Sequence, residues 1–196
     1  MSNSEKRKQQ TRALVLGAVF TALVIVLQFL GTFIRFGIFS ISLVLLPIII
    51  GAATCGYKIG AWLGFVFGAV VLASGDAAAF LTVNYWGTIA TVLVKGTLCG
   101  LAAGLVYKAL SRYNQYLAVM VAAVICPIVN TGIFLLGCKL FFLETITEWG
   151  TAQGFNNAAA YMFLGLAGGN FLFELGTNLV LSPAVVRILK LTKIHN

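Results

Sequence analysis

The sequence predicts an all-α membrane protein with six transmembrane helices and both termini in the cytoplasm. Three observations lead to this prediction: 60% of the 196 residues are hydrophobic, only 9% are charged, and the apolar residues form long runs with short polar connections. A water-soluble domain carries about 25% charged residues, so this chain has too few to cover a soluble surface. The mean hydropathy of +1.00 is equally typical of an integral membrane protein.

The chain opens with a basic segment, residues 1–12, followed by an apolar run at about 13–34. This run is too long for the core of a signal peptide and has no cleavage-type ending, so we interpret it as the first span. Five further apolar runs complete the predicted set, at about 41–56, 58–74, 88–108, 116–138 and 161–183. Residues 13–190 are thus expected to form one six-helix domain, and residues 191–196 a cytoplasmic tail that carries the single histidine, His195.

The distribution of basic residues predicts the orientation. With a cytoplasmic N-terminus, ten of the thirteen Lys and Arg residues fall on the cytoplasmic side: Lys6, Arg7, Lys8, Arg12, Lys58, Lys108, Arg112, Arg187, Lys190 and Lys193. Positive residues favour the cytoplasm, which places both termini there. The longer connections, at about 31–40, 75–87 and 139–160, are then external. Basic residues spread singly over segment ends fit lipid contact better than nucleic-acid binding.

Glycines recur every fourth residue along two spans. Gly56, Gly60, Gly64 and Gly68 follow this spacing along the third span, and Gly96, Gly100 and Gly104 follow it in the fourth. Without side chains, helix backbones approach closely and gain van der Waals contact in lipid. We therefore predict tight helix packing along both stripes.

Several chemistries lack their motifs. There is no GxxxxGK[ST] phosphate loop, so the chain is not expected to hydrolyse ATP alone. No Ser–His pair or HExxH motif occurs, and we expect neither enzymatic activity nor a cofactor. The cysteines form no CxxC pattern and have no histidine nearby, which favours packing over a metal site or disulfide; they are Cys55, Cys99, Cys126 and Cys138.

Two ionisable residues, Lys95 and Glu174, lie well inside predicted spans. A central charge costs at least ~2.5 kcal/mol on insertion scales, so each requires a partner or a polar cavity. Lys95 continues a polar stripe with Thr88 and Thr91, and Glu174 lies near mid-bilayer. The two can form a direct ion pair, or they can line an outward-facing cavity in which a ligand completes their interactions.

Further polar residues converge on the outer half of the same spans. Asn130, near Pro127 of the fifth span, lies at a depth similar to that of Lys95, and Asn170 lies higher on the sixth. This convergence favours a ligand pocket over scattered interhelical hydrogen bonds. The external connections add candidate contacts from Arg35, Asn84 and Trp86.

The segment "GGNFLFELGTN" at 168–178 places Asn170, Glu174 and Asn178 four residues apart. Such a spacing puts the three side chains on one helix face. We expect Asn170 to contact ligand, Glu174 to close the pocket floor by pairing with Lys95 or with polar groups of the fifth span, and the deeper Asn178 to bond a neighbouring helix.

Two stretches resemble a known family. The first span contains "GAVFTALV", in which Ala18 and Ala22 form an AxxxA pair, and residues 36–68 read "FGIFSISLVLLPIIIGAATCGYKIGAWLGFVFG". The second stretch combines an outer loop, a Pro-containing second span and a glycine-rich third. In these features the chain resembles the substrate-binding S component of energy-coupling factor (ECF) vitamin transporters.

The resemblance implies a protein of the prokaryotic plasma membrane that binds a scarce water-soluble vitamin from outside. It implies partnership with an ECF transmembrane coupling subunit, docked through Ala18 and Ala22, and with two ATPase subunits. The family's pockets lie in the outer halves of spans four to six, where Lys95, Asn130 and Asn170 are found. A cation at Lys95 favours a carboxylate vitamin such as pantothenate, with riboflavin as the next candidate.

Two other functions are compatible with the residues. A stand-alone secondary transporter would couple substrate movement to protons or sodium through Glu174. A membrane scaffold protein would bind no small ligand, and its polar stripe would serve helix packing.

Overall fold

The computed structural model describes residues 3–32, 35–36, 39–40 and 43–194. The described chain is almost entirely helical. Its α-helices are α1 (Asn3–Gly31), α2 (Leu45–Cys55), α3 (Tyr57–Ala73), α4 (Ala78–Leu81), α5 (Tyr85–Leu110), α6 (Gln115–Phe141), α7 (Leu143–Ala152), α8 (Ala158–Ala160) and α9 (Gly169–Ile194). A π-helical segment (Tyr161–Gly168) joins α8 to α9. Two short strands, β1 (Arg35–Phe36) and β2 (Phe39–Ser40), pair antiparallel after α1.

Four helical stretches are long and apolar enough to cross a membrane: Gln10–Gly31, Tyr85–Leu110, Gln115–Phe141 and Ala158–Leu189. The apolar helices α2 and α3 are shorter. Large apolar side chains such as Leu14, Leu164 and Val180 are exposed on the long helices, as expected of surfaces that face lipid. The protein is therefore a multi-pass membrane protein, and each predicted span coincides with an apolar helix.

Some elements differ from the sequence-based expectation. Helix α1 begins at Asn3, inside the segment that was expected to be a polar extension, and the last helix continues to Ile194. The connections predicted at about 75–87 and 139–160 contain α4 and α7. Helix α7 forms because one face is buried, with Ile146 fully enclosed beside Tyr161, while its polar face is exposed. His195 lies outside the described residues.

The centre of the bundle is the packing of α3 against α5 through their glycines. A Cβ atom added to Gly60 would stand 2.6 Å from the carbonyl oxygen of Gly100, and one added to Gly64 would overlap the carbonyl oxygen of Gly96. The two backbones are thus in direct contact, as the glycine spacing predicted. Gly56 is the exception: it lies in the turn between α2 and α3 with a φ of 96°, and a Cβ there would meet nothing within 4 Å. The buried Cys99 and Cys126 belong to the apolar core around this contact.

We expect Gly64→Ala to lower the stability of the protein by about 1–3 kcal/mol, the range for overpacked sites. The added methyl group meets backbone, which cannot rotate away, so α3 and α5 must separate. Thermal unfolding in detergent measures the effect. Gly132→Ala is the matched control, because a Cβ at Gly132 has open space on α6; equal melting temperatures for the two variants would contradict the prediction.

A second apolar cluster closes one end of the bundle, which we call the α4/α7 end. Phe80 of α4 makes edge-on ring contacts with Phe134, Phe142 and Trp149 at centroid distances of 5.7, 5.1 and 5.5 Å. Gln153, at the end of α7, donates a hydrogen bond of 2.9 Å to the Tyr161 hydroxyl. These contacts hold α4 and α7 over the ends of α5, α6 and the π-helical segment.

Candidate ligand-binding cavity

A cavity lies beneath the α4/α7 end, between α1, α3, α5, α6 and α9. The space between its lining side chains amounts to about 630 Å³, including the open mouth. Four of the residues predicted from the sequence line it together: Lys95, Asn130, Asn170 and Glu174. Residues from three different helices, up to 79 positions apart in the chain, therefore meet at one site, as the ligand-pocket interpretation required.

The Lys95 ammonium lies between two aromatic rings. Its Nζ atom is 5.5 Å from the ring centroid of Phe67 on α3 and 5.5 Å from that of Phe134 on α6. Ring faces attract cations, and the attraction is stronger away from water. Within the part of the chain that the structure describes, Lys95 and Glu174 do not form an ion pair at 4.0 Å or less. The cation is thus held by rings and remains available to an anion.

The oxygen atoms deeper in the cavity are incompletely paired. Glu174 is 1% exposed; its Oε1 accepts a 3.2 Å hydrogen bond from Nδ2 of Asn170. Among the described residues, Glu174 Oε2, Asn130 Oδ1 and Thr91 Oγ1 are buried without a hydrogen-bond partner. Buried polar atoms in native proteins are nearly always hydrogen-bonded, and leaving one unpaired costs about 1–3 kcal/mol. Three such atoms around one cavity are open to hydrogen bonds from a bound molecule or from buried water.

The comparison with known protein families agrees with this geometry. The family model described as "ECF transporter, substrate-specific component" matches residues 12–186. The chain belongs to this family. No curated protein and no solved structure matches it. As an ECF S component, the protein is a membrane-embedded substrate-binding subunit of an uptake system, and the polar cavity is its candidate substrate site.

The polar stripe of α9 divides between the cavity and the helix packing below it in this S component. Asn170 and Glu174 line the cavity. Asn178 is buried below it, and its Nδ2 donates a 3.4 Å hydrogen bond to the carbonyl oxygen of Ala123 on α6. The predicted contact of Asn178 with a neighbouring helix is confirmed. Ser182 continues the stripe by donating a 2.7 Å hydrogen bond to the carbonyl oxygen of Asn178.

The sequence analysis missed Gln28, a polar residue of the cavity, and did not count Asp76 of the external connection 75–87 among the predicted contact residues. The buried Gln28 of α1 donates a hydrogen bond from Nε2 to Oδ2 of Asp76, which lies just before α4, and both side chains line the cavity. The contact joins the first helix to the segment between α3 and α4. A signal was present in the sequence, because Thr21 and Gln28 are the only polar residues in the apolar stretch 13–31.

Three residues that were predicted to contact the ligand do not line this cavity through any side chain that the structure describes: Asn84, Trp86 and Arg35. Asn84 caps α5, its Oδ1 accepting a 2.9 Å hydrogen bond from the Gly87 amide. Trp86 is 77% exposed on the first turn of the same helix. For Arg35, the backbone lies in β1, and its side chain lies outside the described residues. Contact of these three residues with ligand stays a prediction.

The two predicted docking alanines lie on an exposed face of α1. Ala18 and Ala22 are both exposed, whereas Gly17, Val24 and Gln28 mark the buried face of the same helix. The S component therefore presents the small side chains of this pair at its surface. Docking itself stays a prediction.

Proposed function

We propose that this S component binds a water-soluble vitamin or a related micronutrient from outside the cell with high affinity. It delivers the ligand in association with an ECF coupling subunit and two ATPases in a prokaryotic plasma membrane. Lys95, Asn130, Asn170 and Glu174 bind the ligand. The observation that carries the proposal is the set of three unpaired buried oxygens around the same cavity as an ammonium without an ion-pair partner in the described chain.

The orientation proposed is six spans with the cavity open to the outside and both termini in the cytoplasm. Its support is the position of the basic residues: Lys108, at the last turn of α5, lies with Nζ 5.2 Å from the ring centroid of Tyr57, at the first turn of α3. This end of the bundle is opposite the α4/α7 end. Positive charge favours the cytoplasm, which leaves the cavity facing outward. The short α2 is largely enclosed by protein, so its length need not match the bilayer.

Analysis of the purified protein by mass spectrometry tests the proposed function. Denaturation of the wild-type protein, expressed in a host that makes or takes up vitamins, is expected to release one small water-soluble compound in stoichiometric amount. Adding the compound back should raise the melting temperature of ligand-free protein. Uptake into vesicles that contain the S component without its ATPases would instead support ion coupling through Glu174 and contradict the proposal, as would the absence of any bound or stabilising compound.

The order of effects along α9 tests the outward-facing cavity. We expect Asn178→Ala to bind the released compound nearly normally, because an interhelical hydrogen bond contributes only about 0.6 kcal/mol on average. Asn170→Ala should lose affinity by about 2- to 12-fold, the equivalent of one hydrogen bond of about 0.5–1.5 kcal/mol. Glu174→Ala should reduce both stability and affinity. Titration calorimetry measures the affinities; a larger loss at Asn178 than at Asn170 would indicate a cavity that opens from the cytoplasmic side.

A further inference from the structure

The polar groups that face the cavity fall into two chemical sets. Glu174 Oε2 and Asn130 Oδ1 are acceptors, and the Thr91 hydroxyl is available to a donor; none has a hydrogen-bond partner in the described chain. Lys95, in contrast, carries an ammonium, which donates hydrogen bonds and accepts none. Thr91 and Lys95 are four residues apart on α5, or about 6 Å along the helix. A single small molecule can therefore reach both sets.

Two amide donors of the cavity are already engaged. Nδ2 of Asn170 is bonded to the other carboxyl oxygen of Glu174, and Nε2 of Gln28 is bonded to Asp76. Glu174 Oε2 and Asn130 Oδ1 are left as acceptors that N–H or O–H groups of a ligand can complete.

The surroundings of Lys95 require a hydrogen-bond acceptor on the ligand. Its charge faces the rings of Phe67 and Phe134, which attract a cation but donate no lone pair to its N–H bonds. A carboxylate or another acidic group supplies both the missing acceptors and the compensating charge. The rest of the wall combines apolar residues such as Phe80, Phe142 and Val71 with the hydrogen-bonded pair of Gln28 and Asp76.

From this division we infer that the ligand is a small acid that also carries N–H or O–H donors, its acidic group at Lys95 and its donors at Glu174 and Asn130. The inference rests on the proposed function and narrows it. It argues against cations without an acidic group, which would face the Lys95 ammonium. It also excludes acids that lack donors, such as simple aromatic carboxylates.

Two derivatives of the compound released from the wild-type protein test the inference. Methyl esterification removes its acidic charge, and acetylation removes its amine or hydroxyl donors. In the wild type, each derivative is expected to bind at least tenfold more weakly than the parent compound in titration calorimetry. In Lys95→Met the parent and the ester should bind within about twofold of each other, because the group that distinguishes them has lost its partner.

Two variants test the contacts made by the N–H or O–H donors of the ligand. In Glu174→Met the acetylated and parent compounds should bind within about threefold of each other, and Thr91→Val serves as a milder second variant if Glu174→Met does not fold. Glu148→Met, on the exposed face of α7, is the control. In this variant the ester and the acetylated compound should each still bind at least tenfold more weakly than the parent compound. A released compound without an acidic group, or one whose ester binds as tightly as the acid, would overturn the inference while leaving the proposed function intact. Release of no compound, with no stabilisation by any candidate, would contradict the proposed function itself.

Discussion

Lys95→Met is expected to weaken ligand binding by about 10- to 150-fold while the protein still folds. A hydrogen bond to a charged group contributes about 1.5–3 kcal/mol, and each 1.4 kcal/mol corresponds to a factor of ten. Methionine keeps the length of the side chain and its contact with Phe67 and Phe134, so the loss reports the ammonium rather than a packing defect. Titration calorimetry with the compound released from the wild type gives the affinity.

The matched control for this variant is Lys108→Met. Lys108 lies on the same helix, also next to an aromatic ring, but at the end remote from the cavity. It should bind ligand as the wild type does. Unchanged affinity in Lys95→Met would show that the cation serves folding alone.

Ala18→Trp combined with Ala22→Trp is expected to abolish uptake and the recovery of the complete transporter, while ligand binding by the isolated S component persists. Both alanines are exposed on α1, where a helix of the coupling subunit can approach closely only over small side chains. Two indole rings on that face prevent the approach. Co-purification with the coupling subunit measures assembly, and calorimetry on the isolated S component measures binding.

The control for docking places two tryptophans, again four residues apart, on a different helix. Val94 and Leu98 are exposed on α5, four residues apart, so Val94→Trp with Leu98→Trp adds equal bulk to a surface that faces lipid. This variant should assemble normally. Recovery of a normal complex with the Ala18 and Ala22 double variant would rule out this face of α1 as the docking surface.

Positions of the membrane helices could be predicted from sequence because they depend on the length of an apolar run and little else. Helices α5 and α6 begin and end within a few residues of the predicted spans. Helix α7 could not be predicted in this way. Its apolar residues recur on one face but are few, and its helical form depends on the burial of Ile146 and Gly150 against Tyr161.

The residues of the candidate site likewise differ in whether the sequence alone could predict them. Lys95 and Glu174 were predicted because an ionisable residue in lipid is costly wherever it points. Gln28 was missed because an uncharged amide in a membrane helix does not by itself require a site, and its importance follows from the rotation of α1, which turns it toward Asp76. Asn84 and Trp86 were predicted from composition alone, which cannot distinguish a helix cap or an exposed ring from a ligand contact.

The direct backbone contact between α3 and α5 makes one wall of the cavity preorganised. Gly64 and Gly68 rest on the backbone of α5 at Gly96 and Val92, within one turn of Lys95, so the main chain fixes the positions from which the side chains of Lys95 and Phe67 project. A ligand that binds this wall loses little free energy to ordering the protein. Adjustment to the shape of a ligand is left to the opposite wall, where α9 follows a π-helical segment whose hydrogen-bond register differs from that of an α-helix. We therefore expect the wall formed by α3 and α5 to keep its shape when a ligand binds, and any adjustment to occur along α9.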